Sequence, residues 1–135
     1  MTATLVLDSG VVMALVSRDR AAKRRAQGYL QAAWERSLLV RAPTAALAEV
    51  YRGGRRDAAI DKLVRSAVRP ITTGLGTARL AGALLARHRL DSCHLVDAVV
   101  VATTVRLGGG VVLTSDPADL DRLAAGNPNV IVRGL

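Results

Sequence analysis

The chain contains no Phe, two Tyr and one Trp, which excludes a broad platform of stacked aromatic side chains. Cysteine is nearly absent: Cys93 alone cannot close an internal disulfide or build a thiolate zinc site, and its isolation agrees with a reducing compartment. Long apolar runs are missing as well. Runs such as Gly10 to Val16 and Ala98 to Ala102 fall far short of the roughly 18–20 residues that a membrane helix requires. No basic leader precedes the first apolar run, and Asp8 interrupts it where a secretory segment would continue, so a cytoplasmic location is expected. Acids are in deficit, with 11 Asp and Glu against 19 Lys and Arg, a formal net charge of +8 and a pI near 11.2. Such a surface attracts polyanions. Lysine is scarce within that excess, occurring only at positions 23 and 62. The rest is Arg, whose planar fork suits bidentate phosphate contacts.

What is present is a chain of 135 residues with 50% apolar content, the size of one domain over 1–135 with its own core. Thr4-Leu5-Val6-Leu7 is branched and apolar enough for a strand buried on both faces. Ser9 to Ser17 reads as a short helix. From Arg18 to Arg36, apolar residues at 22, 26, 29, 30, 33 and 34 recur at helical spacing between charges, so Tyr29 and Trp34 are expected in the core or an interface. Leu38-Leu39-Val40 predicts a second strand, and Pro43 the first turn of a helix that bears Glu49 and runs to Gly53-Gly54. Asp57 is expected to cap another helix through Ala67, and Val68 to Thr72 to form a third strand. Thr77 to His88 predicts a helix, and His94 to Leu107, apolar on every side, a buried one. Val111 to Thr114 and Val130 to Val132 are strands flanking a helix over Pro117 to Ala125. Alternating strands and helices imply a parallel sheet covered on both faces.

Acids stand in places where a solvated charge is not expected. Asp8 lies between Leu5-Val6-Leu7 and Val11-Val12-Met13, and Asp97 between Leu95-Val96 and Ala98-Val99-Val100. An unpaired buried carboxylate costs several kcal/mol, on the order of magnitude measured in real proteins. Each therefore needs a cation, hydrogen-bond donors or a proton. In an open parallel sheet the functional crevice lies at the carboxyl ends of the strands, where Asp8 and Asp116 both fall. Asp97 near the start of one helix and Glu49 on another converge there if connections are short. Four gathered carboxylates make sense chiefly around a divalent metal, and oxygen ligation points to Mg²⁺, with Mn²⁺ as a substitute.

Plainer readings stand beside this one. Asp116-Pro117 is a good helix start, and Asp8-Ser9 another. Glu49 and Arg52 have the spacing of a surface ion pair, Asp97 can pair with an Arg, and His94 reads as a helix-start residue.

In order, Leu5-Val6-Leu7-Asp8-Ser9, Glu49 about forty residues later, Asp97-Ala98-Val99-Val100-Val101-Ala102 and Thr114-Ser115-Asp116 resemble the PIN-domain family over essentially the full chain, and within it the VapC-type toxins. Gly10 and Leu120 depart from the family pattern, which often has another small residue at the first and an aromatic at the second. The resemblance implies a three-layer α/β/α fold around a five-stranded parallel sheet with the first and fourth strands side by side. It implies a catalytic, metal-holding set of Asp8, Glu49, Asp97 and Asp116, supported by Ser9, Thr114 and an outer acid, Asp119. It also implies hydrolysis of RNA phosphodiester bonds, dimerisation and silencing by a VapB-type antitoxin. Arg52, Arg55 and Arg56 are expected to contact the RNA backbone, and Arg18, Arg20, Lys23, Arg24 and Arg25 form a second basic cluster. The helix face from Ala22 to Trp34 is expected to form part of the antitoxin groove. Two other readings stay open: an RNA-binding or antitoxin-sequestering module without catalysis, and a haloacid-dehalogenase-like phosphatase. The latter lacks its second Asp, since Gly10 occupies that position.

Overall fold

A computed structural model describes residues 3–135; Met1 and Thr2 lie outside the described residues. Strand β1 (Thr4–Leu7) is buried at every residue, as a strand covered on both faces must be. It is followed by α1 (Ser9–Leu15), α2 (Arg20–Glu35), β2 (Leu39–Pro43), α3 (Thr44–Val50), α4 (Arg56–Ser66), β3 (Arg69–Ile71) and α5 (Leu75–Arg87). A 3-10 turn over Ser92–His94 leads into α6 (Leu95–Arg106), then β4 (Gly110–Thr114), α7 (Pro117–Ala124) and β5 (Val130–Gly134). The five strands pair in parallel in the order β3-β2-β1-β4-β5. The chain leaves β1 toward β2 on one side and later crosses to β4 on the other, so a topological switch point opens between β1 and β4.

Alternation along the strands divides the core into two layers. Leu5 and Leu7 of β1 face Val11, Val12, Leu30, Ala33 and Ile60 of α1, α2 and α4, while Val6 faces Val100, Leu84 and Leu123 of α6, α5 and α7. These layers with the sheet between them form the three-layer α/β/α arrangement. Helix α6 is buried continuously from Ala98 to Thr104. The hydroxyls of Thr103 and Thr104 donate to the carbonyls of Val99 and Val100, at 2.7 and 2.9 Å, so neither polar group is left unsatisfied in the apolar layer.

Three expectations are corrected. Pro43 is the last residue of β2 and precedes α3, which stops at Val50, before the glycines. Tyr51 is extended, and Asp57 captures the next two amides, accepting from Arg52 N at 3.2 Å and Gly53 N at 2.9 Å. Asp57 therefore lies in the first turn of α4 and ties down the preceding loop; Arg55 holds the cap position. Of the core and the interface expected for Tyr29 and Trp34, the core is excluded: they are 39% and 51% exposed at the margin of the apolar face of α2, whose buried positions are Ala26, Leu30 and Ala33. Among the described residues no helix is long and apolar enough to cross a membrane.

Candidate metal centre

Asp8 sits where β1 ends and α1 begins, 7% exposed. Its backbone N–H donates to Leu113 O of β4 at 3.0 Å, holding it at the switch point. One carboxylate oxygen, Oδ1, accepts from Ser9 N at 2.7 Å and, more weakly, from Ser9 Oγ at 3.4 Å. The other, Oδ2, accepts from the buried hydroxyl of Thr114 at 2.8 Å. Thr114 Oγ1 in turn accepts from Asp116 N at 3.0 Å. A single hydroxyl thus joins the ends of the two central strands. The capping role considered for Asp8 holds for one oxygen, and Ser9 and Thr114 are the residues that hydrogen-bond its carboxylate. A Cβ on Gly10 would collide with Ser115 Oγ. The departure at Gly10 therefore has a packing reason: it lets the β4–α7 loop close over the start of α1.

Asp97, in the first turn of α6, is pushed up to about 6, by burial first and then by the charges of Asp8 and Asp119, with Glu49 adding to them and His94 opposing. That balance places Asp8, Glu49, Asp97 and Asp119 in one electrostatic neighbourhood, relieved among the described residues by the imidazole of His94. The Asp97–Arg pair considered from sequence is not formed. Among the described residues the ion-pair contacts are those of His94 Nδ1 with Asp97 Oδ2 at 3.9 Å and Asp119 Oδ2 at 3.8 Å. His94 stands at the cap position of α6, yet its side chain makes no cap hydrogen bond. Its helix-start position is thus as expected, while its ring turns toward the acids. The sequence signal was its place three residues before Asp97; its proximity to Asp119 is a tertiary fact.

Glu49 is exposed near the end of α3 and forms no pair with Arg52 among the described residues. Asp116 occupies the position before Pro117 at the start of α7, but its carboxylate makes no cap bond. The helix start expected at Asp116-Pro117 is therefore present, but the carboxylate is left free of it, and its side chain is exposed at the same strand ends. Its link to Asp8 runs through its backbone N–H and Thr114; it is not among the charges that raise Asp97. Leu120, the other departure, is fully buried in the α5–α6–α7 layer. Arg18, Arg52, Arg55 and Arg56 line an open groove of about 420 Å³ with Met13 of α1 and Val50 of α3, the helices next to Asp8 and Glu49.

The donor set suits a hard or borderline divalent ion. It consists of carboxylate oxygens with one imidazole and no thiolate, and Asp97 is desolvated among like charges that a cation would neutralise. Asp8, Glu49, Asp97 and Asp119 share this neighbourhood with His94 and are the candidates for holding it, and Asp116 stands exposed at the same strand ends.

A family model for the PIN domain matches residues 5–126. No curated protein sequence matches. Among solved structures the chain is similar to VapBC2 from Rickettsia felis bound to a DNA fragment from its promoter, with a TM-score of 0.68, 11% identity and 98% of each chain covered. It is similar to a toxin–antitoxin complex from Klebsiella pneumoniae, with a TM-score of 0.64, 20% identity, and 98% of this chain and 100% of that one covered. A third is DNA-bound VapBC from Salmonella typhimurium, with a TM-score of 0.66, 14% identity and 98% of each chain covered. At these identities the likeness is one of fold. The switch point between β1 and β4, the acids at its mouth and the match over 5–126 lead to one assignment: the chain belongs to the PIN-domain family.

Proposed function

We propose that this protein is a metal-dependent endoribonuclease, a single PIN-like nuclease domain over 1–135, acting as the VapC-type toxin of a toxin–antitoxin pair in the cytoplasm. The observation that carries the nuclease reading is the gathering of Asp8, Glu49, Asp97 and Asp119 at the carboxyl ends of the central strands, with Asp97 pushed up to about 6 by burial and its acidic neighbours. A structural role would call for an Arg or Lys partner, and none pairs with these acids among the described residues.

Mg²⁺, or Mn²⁺ in its place, would supply Lewis acidity toward a phosphodiester and make a water acidic enough to attack. Asp8 is oriented for holding that ion by Ser9 N and Thr114 Oγ1, which fix both of its oxygens. Asp97 and Asp116 offer carboxylates free of protein hydrogen-bond donors among the described residues. Glu49, exposed and unpaired there, takes up the proton lost by the attacking water. Because water attacks instead of the ribose 2′-hydroxyl, the products carry a 5′-phosphate and a 3′-hydroxyl.

The groove of Arg18, Arg52, Arg55 and Arg56 gives the RNA backbone a path past α1 and α3. With two Tyr and one Trp in the whole chain, recognition leans on phosphate and shape. The similarity to VapBC complexes supports a VapB-type antitoxin as partner, and a homodimer is the working form expected from the family resemblance. A cleft of about 520 Å³ lined by Leu30, Trp34, Leu63 and Ala67 of α2 and α4 is where the antitoxin segment would lie.

The test is incubation of the antitoxin-free protein with structured RNAs in Mg²⁺, in EDTA and as Asp97→Asn. Cutting that needs the metal and is absent in the variant is expected. Tight RNA binding with no cleavage under any condition would instead establish a binding module.

A further inference from the structure

His94 Nδ1 faces Asp97 Oδ2 at 3.9 Å and Asp119 Oδ2 at 3.8 Å. Both distances are too long for hydrogen bonds, and the imidazole makes none with any other group among the described residues. The carboxylates of Asp97 and Asp119 also accept no hydrogen bond there, although their side chains are only 28% and 36% exposed. Three donor groups therefore converge without satisfying one another. All three donor atoms lie within 4.8 Å of each other. Around a divalent ion with bonds of about 2.1 Å, adjacent donors stand roughly 3 Å apart and opposed ones roughly 4.2 Å apart. The set needs to contract by only a few tenths of an ångström to one ångström to close on a single ion.

We propose that His94, Asp97 and Asp119 form a cation position with one nitrogen donor, sharing Asp97 with the oxygen ligands Asp8, Glu49 and Asp116. That position selects Mn²⁺ or another borderline transition ion over Mg²⁺. Imidazole is a good ligand for first-row transition ions and a poor one for Mg²⁺, which favours oxygen and keeps its waters. The assignment rests on reading the acidic centre as a cation site, and it adds a ligand from outside the acid set. A purely electrostatic role, with a charged imidazole shared between two carboxylates, is the competing account.

The experiment uses the full chain, stripped with EDTA and reloaded with Mn²⁺ alone, and reads the bound ion by pulsed electron paramagnetic resonance. A ¹⁴N coupling is expected on Mn²⁺, changing to the ¹⁵N pattern when histidine is labelled. The chain has two histidines, so the coupling should persist in His88→Gln and vanish in His94→Gln. Titration of the free Mn²⁺ signal should show His94→Gln binding Mn²⁺ about tenfold more weakly or worse, while Mg²⁺ competition changes less than about threefold. Bound Mn²⁺ without nitrogen coupling overturns the proposal and leaves an all-oxygen nuclease centre standing. Absence of any Mn²⁺ binding by the wild-type chain overturns both. If His94→Gln does not fold, the labelled wild-type protein and His88→Gln decide alone.

Discussion

The hydroxyl of Thr114 is the most economical part of the centre, since it donates to Asp8 and accepts from Asp116 N. Thr114→Val keeps the shape and removes both bonds. It should cost about 1–3 kcal/mol, because a buried carboxylate and an amide each lose a partner, and RNA cleavage should fall with it. Urea melts beside a cleavage assay check this; an unchanged melt would mean that water replaces the hydroxyl. Asp97 gives the opposite case. Its folded carboxyl is raised from 3.8 to about 6, so folding favours the neutral form. The stability tied to that form is complete below the unfolded value and is lost as pH rises through about 6. In EDTA the wild-type protein should therefore lose stability between about pH 4 and pH 6. Asp97→Asn should not, and at pH 7 it should be the more stable by roughly 1–2 kcal/mol, after allowance for solvent screening. Saturating Mn²⁺ should reverse that order, because the wild-type chain gains the binding energy. Thermal melts across pH, with and without metal, separate the cases.

At the level of elements, the turn from α6 into β4 has the tightest backbone requirement. Gly109 has φ +103, and a Cβ there would stand 2.6 Å from Asn129 O in the β5 approach. Gly109→Ala should cost about 1–3 kcal/mol and shift β4, visible as lower stability and weaker metal binding together. Much of this architecture was legible beforehand. The β1 run ended at Asp8 because an ionisable residue terminates a strand buried on both faces. The run after His94 was helical by length despite its Val99-Val100-Val101 centre, and the end of α6 fell where Gly108 to Gly110 stand. Asp8 and Asp97 were legible as candidates because each interrupts an apolar run, whereas the neighbourhood they share with Glu49 is a tertiary fact. What escaped depends on tertiary contact. The α2 period identifies a buried stripe, but not that Tyr29 and Trp34 lie at its uncovered margin. Asp57 resembles a cap by position, yet its carboxylate reaches back to Arg52 and Gly53. His94 meets Asp119 only after α6 and α7 have packed side by side.

For the whole molecule, the net charge of +8 surrounds a locally negative centre, and the two serve different steps. In the proposed reaction the outer excess would bind an RNA chain, and the inner acids would hold the ion that acts on it. Replacing Arg52, Arg55 and Arg56 together by Ala should weaken RNA binding uniformly across sequences. It should also reduce the magnitude of the log–log salt slope by about 2, with Mn²⁺ affinity unchanged. Filter binding at several salt concentrations measures the first effect and metal titration the second; an unaltered slope would place the RNA path elsewhere. The sheet order has a consequence for synthesis as well. The order β3-β2-β1-β4-β5 makes the first strand wait for the fourth, so Asp8 leaves the ribosome early but meets Thr114 and Asp116 only when nearly the whole chain has emerged. A site whose parts stand so far apart along the chain thus carries its own delay: the carboxylate of Asp8 waits without its Thr114 partner until the residues through β4 have been made.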